Sequence, residues 1–377
     1  MIAWFRYICL IVSLIITMPE LLSAQRLVSQ RQEDVEAGLL YNESVYILSN
    51  YSCLSSNSPE KLSLDELLRK QIEGFYFYLK RDTETNVLLL RKPDGTFTPF
   101  SESLEAIKTA LDADSTKVMT LFLDFYVETE LESSFKEIGL MEYVLEYDTK
   151  NGWPSLKDML SSGKRLVVFE VQKHLNSPSW LHNMRDFVEH TDADWGNQPE
   201  GVESFDERLK KNLSLFTGYK FLETSRGNSN DISALARQTP YLIESFKRAW
   251  IRDGRVPNFI LVDKYYAWLD VSLVTFRNFD IIYGAVTNNN ELLNYVNWDG
   301  MSNYTTGKYC FPLEPGAELM LSPISPGYRI EPATVYVSGT QRKAFAGDFK
   351  ARPLRIAAAI EIYLPFEGDE KDGSSNH

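Results

Sequence analysis

Residues 153–171 read WPSLKDMLSSGKRLVVFEV. Leu156 to Leu160 has helical character, Gly163 stops it, and Arg165 to Val171 is an apolar, β-branched run that reads as a strand. The same alternation extends to both sides. Upstream, Ser44 to Ser49 reads as a strand and Asn50 to Pro59 as a polar loop. Leu64 to Ile72 has helical spacing ended by Gly74, and Phe75 to Leu79 is strand-like. Asn86 to Leu90 is another apolar run, and Pro93-Asp94-Gly95 is a turn signal. Ser101 to Leu111 is an amphipathic helix, Lys117 to Phe125 a buried-type strand, and Glu130 to Ile138 a helix closed by Gly139. Downstream, Ile232 to Trp250 reads as a long helix and Phe259 to Val262 as a strand followed at once by Asp263. Ser272 to Phe276 is helical and Phe279 to Tyr283 extended.

Short apolar strands separated by helices are the pattern of βα units on a largely parallel sheet. Their number over roughly 240 residues points to an α/β distorted TIM barrel across 25–287. From 288 the texture changes, with proline dense between Pro312 and Pro332 and strand-like runs at Ala333 to Val337 and Ile356 to Tyr363. A small β-rich appendage is expected over 288–367 and a disordered tail over 368–377. Residues Gln25 to Ala37 read as a polar lead-in, mobile or helical.

Arg6 followed by the apolar run Tyr7 to Thr17, with Pro19 and then Leu22-Ser23-Ala24, has the layout of a signal peptide cut near Ala24. The run is short of the ~20 residues that span a bilayer, an N-terminal anchor being the alternative. Export is therefore expected, with no transmembrane segment in the processed chain. Acids outnumber bases 52 to 39 in the 377 residues, which disfavours phosphate backbones, so no nucleic-acid partner is expected. Hydrophobic residues at 44% exclude wholesale disorder. Beyond Cys9 in the leader, Cys53 and Cys310 permit one disulfide or two buried free thiols.

Several segments resemble the phosphatidylinositol-specific phospholipase C-like phosphodiesterases of the secreted, single X-domain type. Ser49-Asn50-Tyr51-Ser52 stands where that family has a His-Asn-Ser loop, and Gln71 to Tyr76 where it has Gln-Leu-x-x-Gly-Val-Arg. Val118 to Val127 is similar to its strand ending in an acid, and Phe135 to Leu140 to its Gly-Leu turn. Residues 153–169 match a Trp-Pro-x-Leu helix and Gly-Lys-Arg strand with their spacing kept, and Pro257 to Asp263 resembles its last well-marked strand. The resemblance covers roughly Tyr41 to Gly284 and implies a distorted TIM barrel and phosphoric diester hydrolysis in lipid metabolism.

In that family, one histidine acts as general base and a second as general acid, tasks that imidazoles suit near neutral pH. Here the two positions fall at Ser49 and Arg91, and the family's arginine at Tyr76. Serine unaided is no base at neutral pH, and arginine is always protonated. Losing both groups would cost roughly 10⁴ or more in rate. Asn50 and Asp124 remain as oxygen ligands, too few for calcium, so neither calcium nor magnesium is expected. The leading expectation is an exported pseudoenzyme binding a small anionic or polyol ligand at the barrel mouth. Its candidate pocket is Ser49, Asn50, Arg91, Lys92, Asp124, Lys173, His174 and Asp263. One rival is an active phosphodiesterase with acid/base groups relocated to His174 and Asp124. Another is a surface interaction protein acting through the β-rich region. His174, His182 and His190 recur at a spacing of eight, which is not a metal-ligand spacing.

Overall fold

The computed structural model describes residues 31–53, 63–70, 72–125, 131–147, 150–172, 174, 177–192, 215–219, 247, 250–251, 254–262, 275–301, 304–305, 307–339 and 341–354. The first sheet contains β1 (Tyr46–Ser49), β2 (Gly74–Arg81), β3 (Leu88–Arg91), β4 (Phe97–Pro99), β5 (Met119–Asp124), β6 (Leu166–Glu170), β7 (Leu181–Asn183), β8 (Val188–Asp192), β9 (Leu215–Tyr219) and β10 (Phe259–Val262). Helices α1 (Leu64–Arg69), α2 (Phe100–Ala113), α3 (Leu131–Ile138), α4 (Leu156–Ser162) and α5 (Met184–Phe187) lie between these strands in sequence.

The opening stretch folds as its pattern dictates. The Ser155 hydroxyl accepts the Asp158 N–H at 3.1 Å, and Gly163 ends α4 with φ +73°, a conformation glycine adopts without steric cost. Every residue of β6 is buried. Arg165, just before it, turns its guanidinium onto the carbonyls of Leu111 (2.9 Å), Asp114 (2.6 Å) and Lys117 (3.1 Å). It thereby caps the C-terminal end of α2, where orphan carbonyls and the helix dipole both favour a cation.

The parallel strands run β7-β6-β5-β2-β1-β10-β9-β8, while β3 and β4 extend β2 as an antiparallel hairpin. This is the cyclic strand order of a (β/α) barrel, but the expected closure is not observed. Among the described residues β7 and β8, the two ends of the path, do not pair. Only the four residues of α5 join them, whereas a crossover between adjacent parallel strands needs a dozen or more. Rings of Tyr147, Trp153 and Phe187 pack together beside β7, around His182. The sheet is nonetheless curled. Phe259 on β10 lies 5.2 Å from Phe122 on β5 and 6.1 Å from Phe169 on β6, although neither strand neighbours β10. These rings mark the concave face. Gly74 permits the close packing there, since a Cβ would meet the Thr120 carbonyl at 2.2 Å and Leu48 Cδ2 at 2.9 Å.

A second, antiparallel-rich module has its own core around Val286, Trp298, Tyr309, Phe311 and Phe349. Its central strand is β11 (Asp280–Asn288), flanked by β12 (Lys308–Leu313) and β13 (Lys343–Pro353). The β-rich region therefore begins at β11, upstream of the boundary expected at 288. Strand β11 is buried on both faces: Ile281 joins the main core and Ile282 the second. Cys310 is a buried free thiol whose sulfur takes the Trp250 indole N–H at 3.0 Å, so the Cys53–Cys310 disulfide is not formed. Desolvation pushes the pKa of that thiol up to about 12.

The lead-in is structural from 31 onward, where residues 31–36 are helical. Arg31 and Asp34 are buried in an ionic cluster with Glu73, Arg277 and Arg342. Glu73 binds Arg31 and, at 3.0 Å, Arg277, and its second oxygen accepts the Ile47 N–H at 3.2 Å. Asp34 holds Arg342 Nε at 2.6 Å. One helical turn thus ties the N-terminal end of the parallel sheet to the chain leading into β13.

Candidate functional site

Side chains alternate along each strand, so residues two apart share a face and register partners share a face. Phe122 marks the concave side, hence Asp124 at the end of β5 belongs to it as well. Their partners on β2 are Tyr76 and Tyr78. The next register position of the β2–β3 pair sets Arg91 opposite Tyr78. Arg91, Tyr78 and Asp124 therefore form one row across three strands at the C-terminal rim, with Tyr76 a step below. The Tyr76 hydroxyl donates to Asp124 Oδ2 at 2.9 Å. Asp124 Oδ1 is buried without a hydrogen-bond partner among the described residues. The Arg91 side chain is exposed, and Lys92, half-buried, begins the turn whose Lys92 N–H donates to the Thr96 carbonyl at 2.8 Å.

Ser52 fastens this row to the end of β1. Its hydroxyl accepts the Tyr78 N–H at 2.7 Å and donates to the Arg91 carbonyl at 3.1 Å, bridging two backbone groups at the next position of the β2–β3 ladder. Asn50 is buried directly above β1.

The opposite face gathers a different group. Leu123 pairs with Glu170, so Glu170 and Asp124 leave the sheet on opposite sides. Glu170, buried at the end of β6, holds His174 Nδ1 at 3.0 Å and accepts from Ser177 Oγ at 2.6 Å and Asn183 Nδ2 at 3.3 Å. His174 stacks on Phe125 with ring centroids 4.4 Å apart. His174 and Asp124 thus do not converge as one acid/base pair. Ser49 also faces this helix-covered side, as the register partner of Phe75; its hydroxyl is fully buried and has no partner among the described residues. It is not a mouth residue. Lys173 and Asp263 lie outside the described residues.

His182 is a core histidine. Its Nε2 lies 3.2 Å from the Leu145 carbonyl among Trp153, Phe169 and Phe187, and burial holds its pKa below the usual value. Among the described residues no three His, Cys, Asp or Glu side chains could hold a metal ion. Asn50 and Asp124 supply two oxygens where calcium takes six to eight, so they do not fit that ion. Sequence reasoning missed Tyr78, Ser52 and Glu170 as organising residues. The FYFYL run did carry a signal, because its alternate tyrosines fall on one face and its phenylalanines on the other.

A family model described as PI-PLC X matches residues 90–199, which include Arg91, Asp124, Glu170 and His174. No curated protein matches the chain. Among solved structures, it is similar to the phosphatidylinositol-specific phospholipase C of Listeria monocytogenes, at 14% identity and TM-score 0.40, over 65% of this chain and 98% of that one. A Staphylococcus aureus phosphatidylinositol-specific phospholipase C gives 12% identity and TM-score 0.41, over 64% and 95%. L. pealei PLC21 gives 11% identity and TM-score 0.34, over 60% and 31%. Among the described residues no helix is long and apolar enough to cross a membrane. Residues 90–199 are thus the part of the chain that is similar to the PI-PLC X family.

Proposed function

We propose that this protein is an exported, catalytically degenerate phospholipase C-like protein that binds a small anionic or polyol ligand at the concave mouth. The observation that carries the reading is the row Arg91–Tyr78–Asp124 with Tyr76 beneath it. It offers phenols, a carboxylate and a guanidinium at the C-terminal rim, where sheets of this strand order carry their sites. These groups hydrogen-bond well, and the row contains no imidazole. Ser49 and Arg91, at the positions where the resemblance puts histidines, supply neither base nor acid. The test is a turnover assay on phosphatidylinositol and glycerophosphodiesters, with and without calcium, beside direct binding measurements. Binding without turnover is the expected result; turnover comparable to a hydrolase would reject the reading.

A second reading has one specific observation behind it. A buried carboxylate that fixes Nδ1 of a histidine is also how general bases are oriented, and Glu170 does this to His174. That reading requires hydrolysis that His174→Ala abolishes. The placement of Glu170 opposite to Asp124 favours a structural role, in which Glu170 pins the loop after β6 through His174 and Ser177.

A further inference from the structure

We propose that the outer face of the β-rich module is a second binding surface, which takes an acidic polysaccharide by stacking its sugar rings on Tyr283 and Phe345 and pairing its carboxylates with the bases around them. This surface is separate from the mouth and does not depend on what the mouth binds.

Strand parity sorts the side chains of the module. Ile282 and Val286 of β11 enter the second core, so Tyr283, Ala285 and Thr287 leave on the other side. Phe345 is the register partner of Tyr283, Lys308 that of Ala285 and Lys350 that of Thr287. Lys343, opposite Ile281, shares the face, as do Arg352 and its partner Arg329 on the strand Tyr328–Glu331. Residues 280–354 contain six Lys and Arg side chains. Arg342 is buried against Asp34, and the other five all stand on this one face. Three acids accompany them. Asp348 shares the register position of Ala285, Glu331 lies 3.2 Å from Arg329 and 3.7 Å from Arg352, and Glu43 holds Lys343 at 2.6 Å. Five bases against three acids leave a positive face on a chain whose net charge is −13. Charge complementarity therefore selects an acidic partner.

The rings narrow the partner further. Phe345 is 57% exposed and Tyr283 37%, with centroids 5.5 Å apart in the middle of the charged face. Each offers an apolar surface to the C–H side of a sugar ring, and the Tyr283 hydroxyl adds a polar tip for its hydroxyls. Arg329 and Arg352 sit directly opposite one another across their strands, an arrangement that costs stability between like charges. Both guanidiniums are exposed, and their planar forks match a carboxylate in two-point fashion. A bilayer fits this surface less well. Interfacial aromatics sink ~5–10 Å into the headgroup region, whereas Tyr283 lies on the central strand of a sheet and Phe345 on its neighbour, within a face and not at a loop tip. A single polymer chain can lie along such a face.

The test is calorimetric titration of the full-length protein with polygalacturonate, with dextran as the uncharged polymer and with phosphatidylglycerol–phosphatidylcholine vesicles. The expected result is saturable binding of polygalacturonate that salt weakens, and none of dextran or vesicles. Arg329→Gln combined with Arg352→Gln should weaken it at least about tenfold. Phe345→Ala should weaken it about threefold, a loss that persists at high salt because stacking is not screened. All three side chains are exposed, and circular dichroism and thermal melting confirm that the variants fold. Binding that both variants leave unchanged would overturn the inference. So would a loss confined to the arginine variant, which would mean ion exchange without sugar stacking. Vesicle binding without polygalacturonate binding would replace it with a membrane surface, and binding of none of the three probes would remove it. None of these outcomes bears on the mouth.

Discussion

The hydroxyl of Tyr76 on β2 reaches along the concave face to Oδ2 of Asp124 on β5, at 2.9 Å. It is a diagonal contact, because the register partner of Asp124 is Tyr78. Tyr76 stands where the resemblance expects an arginine, and it sets a neutral donor beside the acid. Tyr76→Phe removes that donor from a partly exposed carboxylate and should destabilise the fold by about 1–2 kcal/mol. Tyr76→Arg should instead set a cation against the acid and pull inorganic phosphate into the mouth. Urea denaturation of the first variant and phosphate titration of the second check these outcomes. Phosphate affinity unchanged in Tyr76→Arg would mean that a cation beside Asp124 does not govern anion binding at the mouth.

Ser52 is a short side chain with two obligations. Its hydroxyl satisfies the Tyr78 N–H and the Arg91 carbonyl, and the residue is buried. Ser52→Ala strands both backbone groups, each costly to leave unmade, so a loss of about 2–3 kcal/mol is expected. Ser52→Thr keeps the hydroxyl and should recover most of it where the extra methyl fits. A chemical-denaturation series on the two variants decides this; an alanine variant as stable as the parent would mean that the β2–β3 ladder closes up without the serine.

Glu73 answers two buried guanidiniums at once, Arg31 and Arg277. Removing one partner of a buried ion pair leaves an uncompensated charge, so Glu73→Gln should cost about 3–5 kcal/mol. A compensating loss of charge tests the mechanism. Glu73→Gln combined with Arg277→Met should be more stable than Glu73→Gln alone, and additive losses in the double variant would show that the pair is not coupled.

The fold was legible where periodicity is strong. The helix–Gly–strand unit of 153–171 and the strand that carries Leu121 and Leu123 appear where their apolar spacing places them. Arg165, matched only as part of a Gly-Lys-Arg pattern, has a physical role that spacing cannot display: it caps a helix more than fifty residues upstream in sequence. The open seam at β7 and β8 was not legible either, since it depends on the length of α5, and four residues carry little periodic signal. Candidate site residues fared according to strand parity. Arg91 and Asp124 fall on the concave face together, whereas Ser49 lies one residue out of phase with Leu48 and so points to the helices. Glu170 was hidden because an acid ending an otherwise apolar strand looks like a rim residue on either face.

His182 couples stability to acid. It is buried among Trp153, Phe169 and Phe187, and desolvation holds its pKa below the ordinary 6.5, outweighing the opposing pull of the Leu145 carbonyl. The unfolded chain therefore takes up a proton at pH values where the folded chain does not. Above 6.5 both states are neutral at this site and the full stability is present; as pH falls below 6.5 that contribution is lost until the folded histidine itself titrates. His182→Leu removes the titration while keeping an apolar filling, at a cost of about 1 kcal/mol near pH 8 for the lost hydrogen bond. Thermal melts at pH 8 and pH 5.5 should show a smaller acid-induced drop in Tm for the variant than for the parent. Equal drops in the two proteins would assign the acid sensitivity to other groups and leave His182 as packing alone.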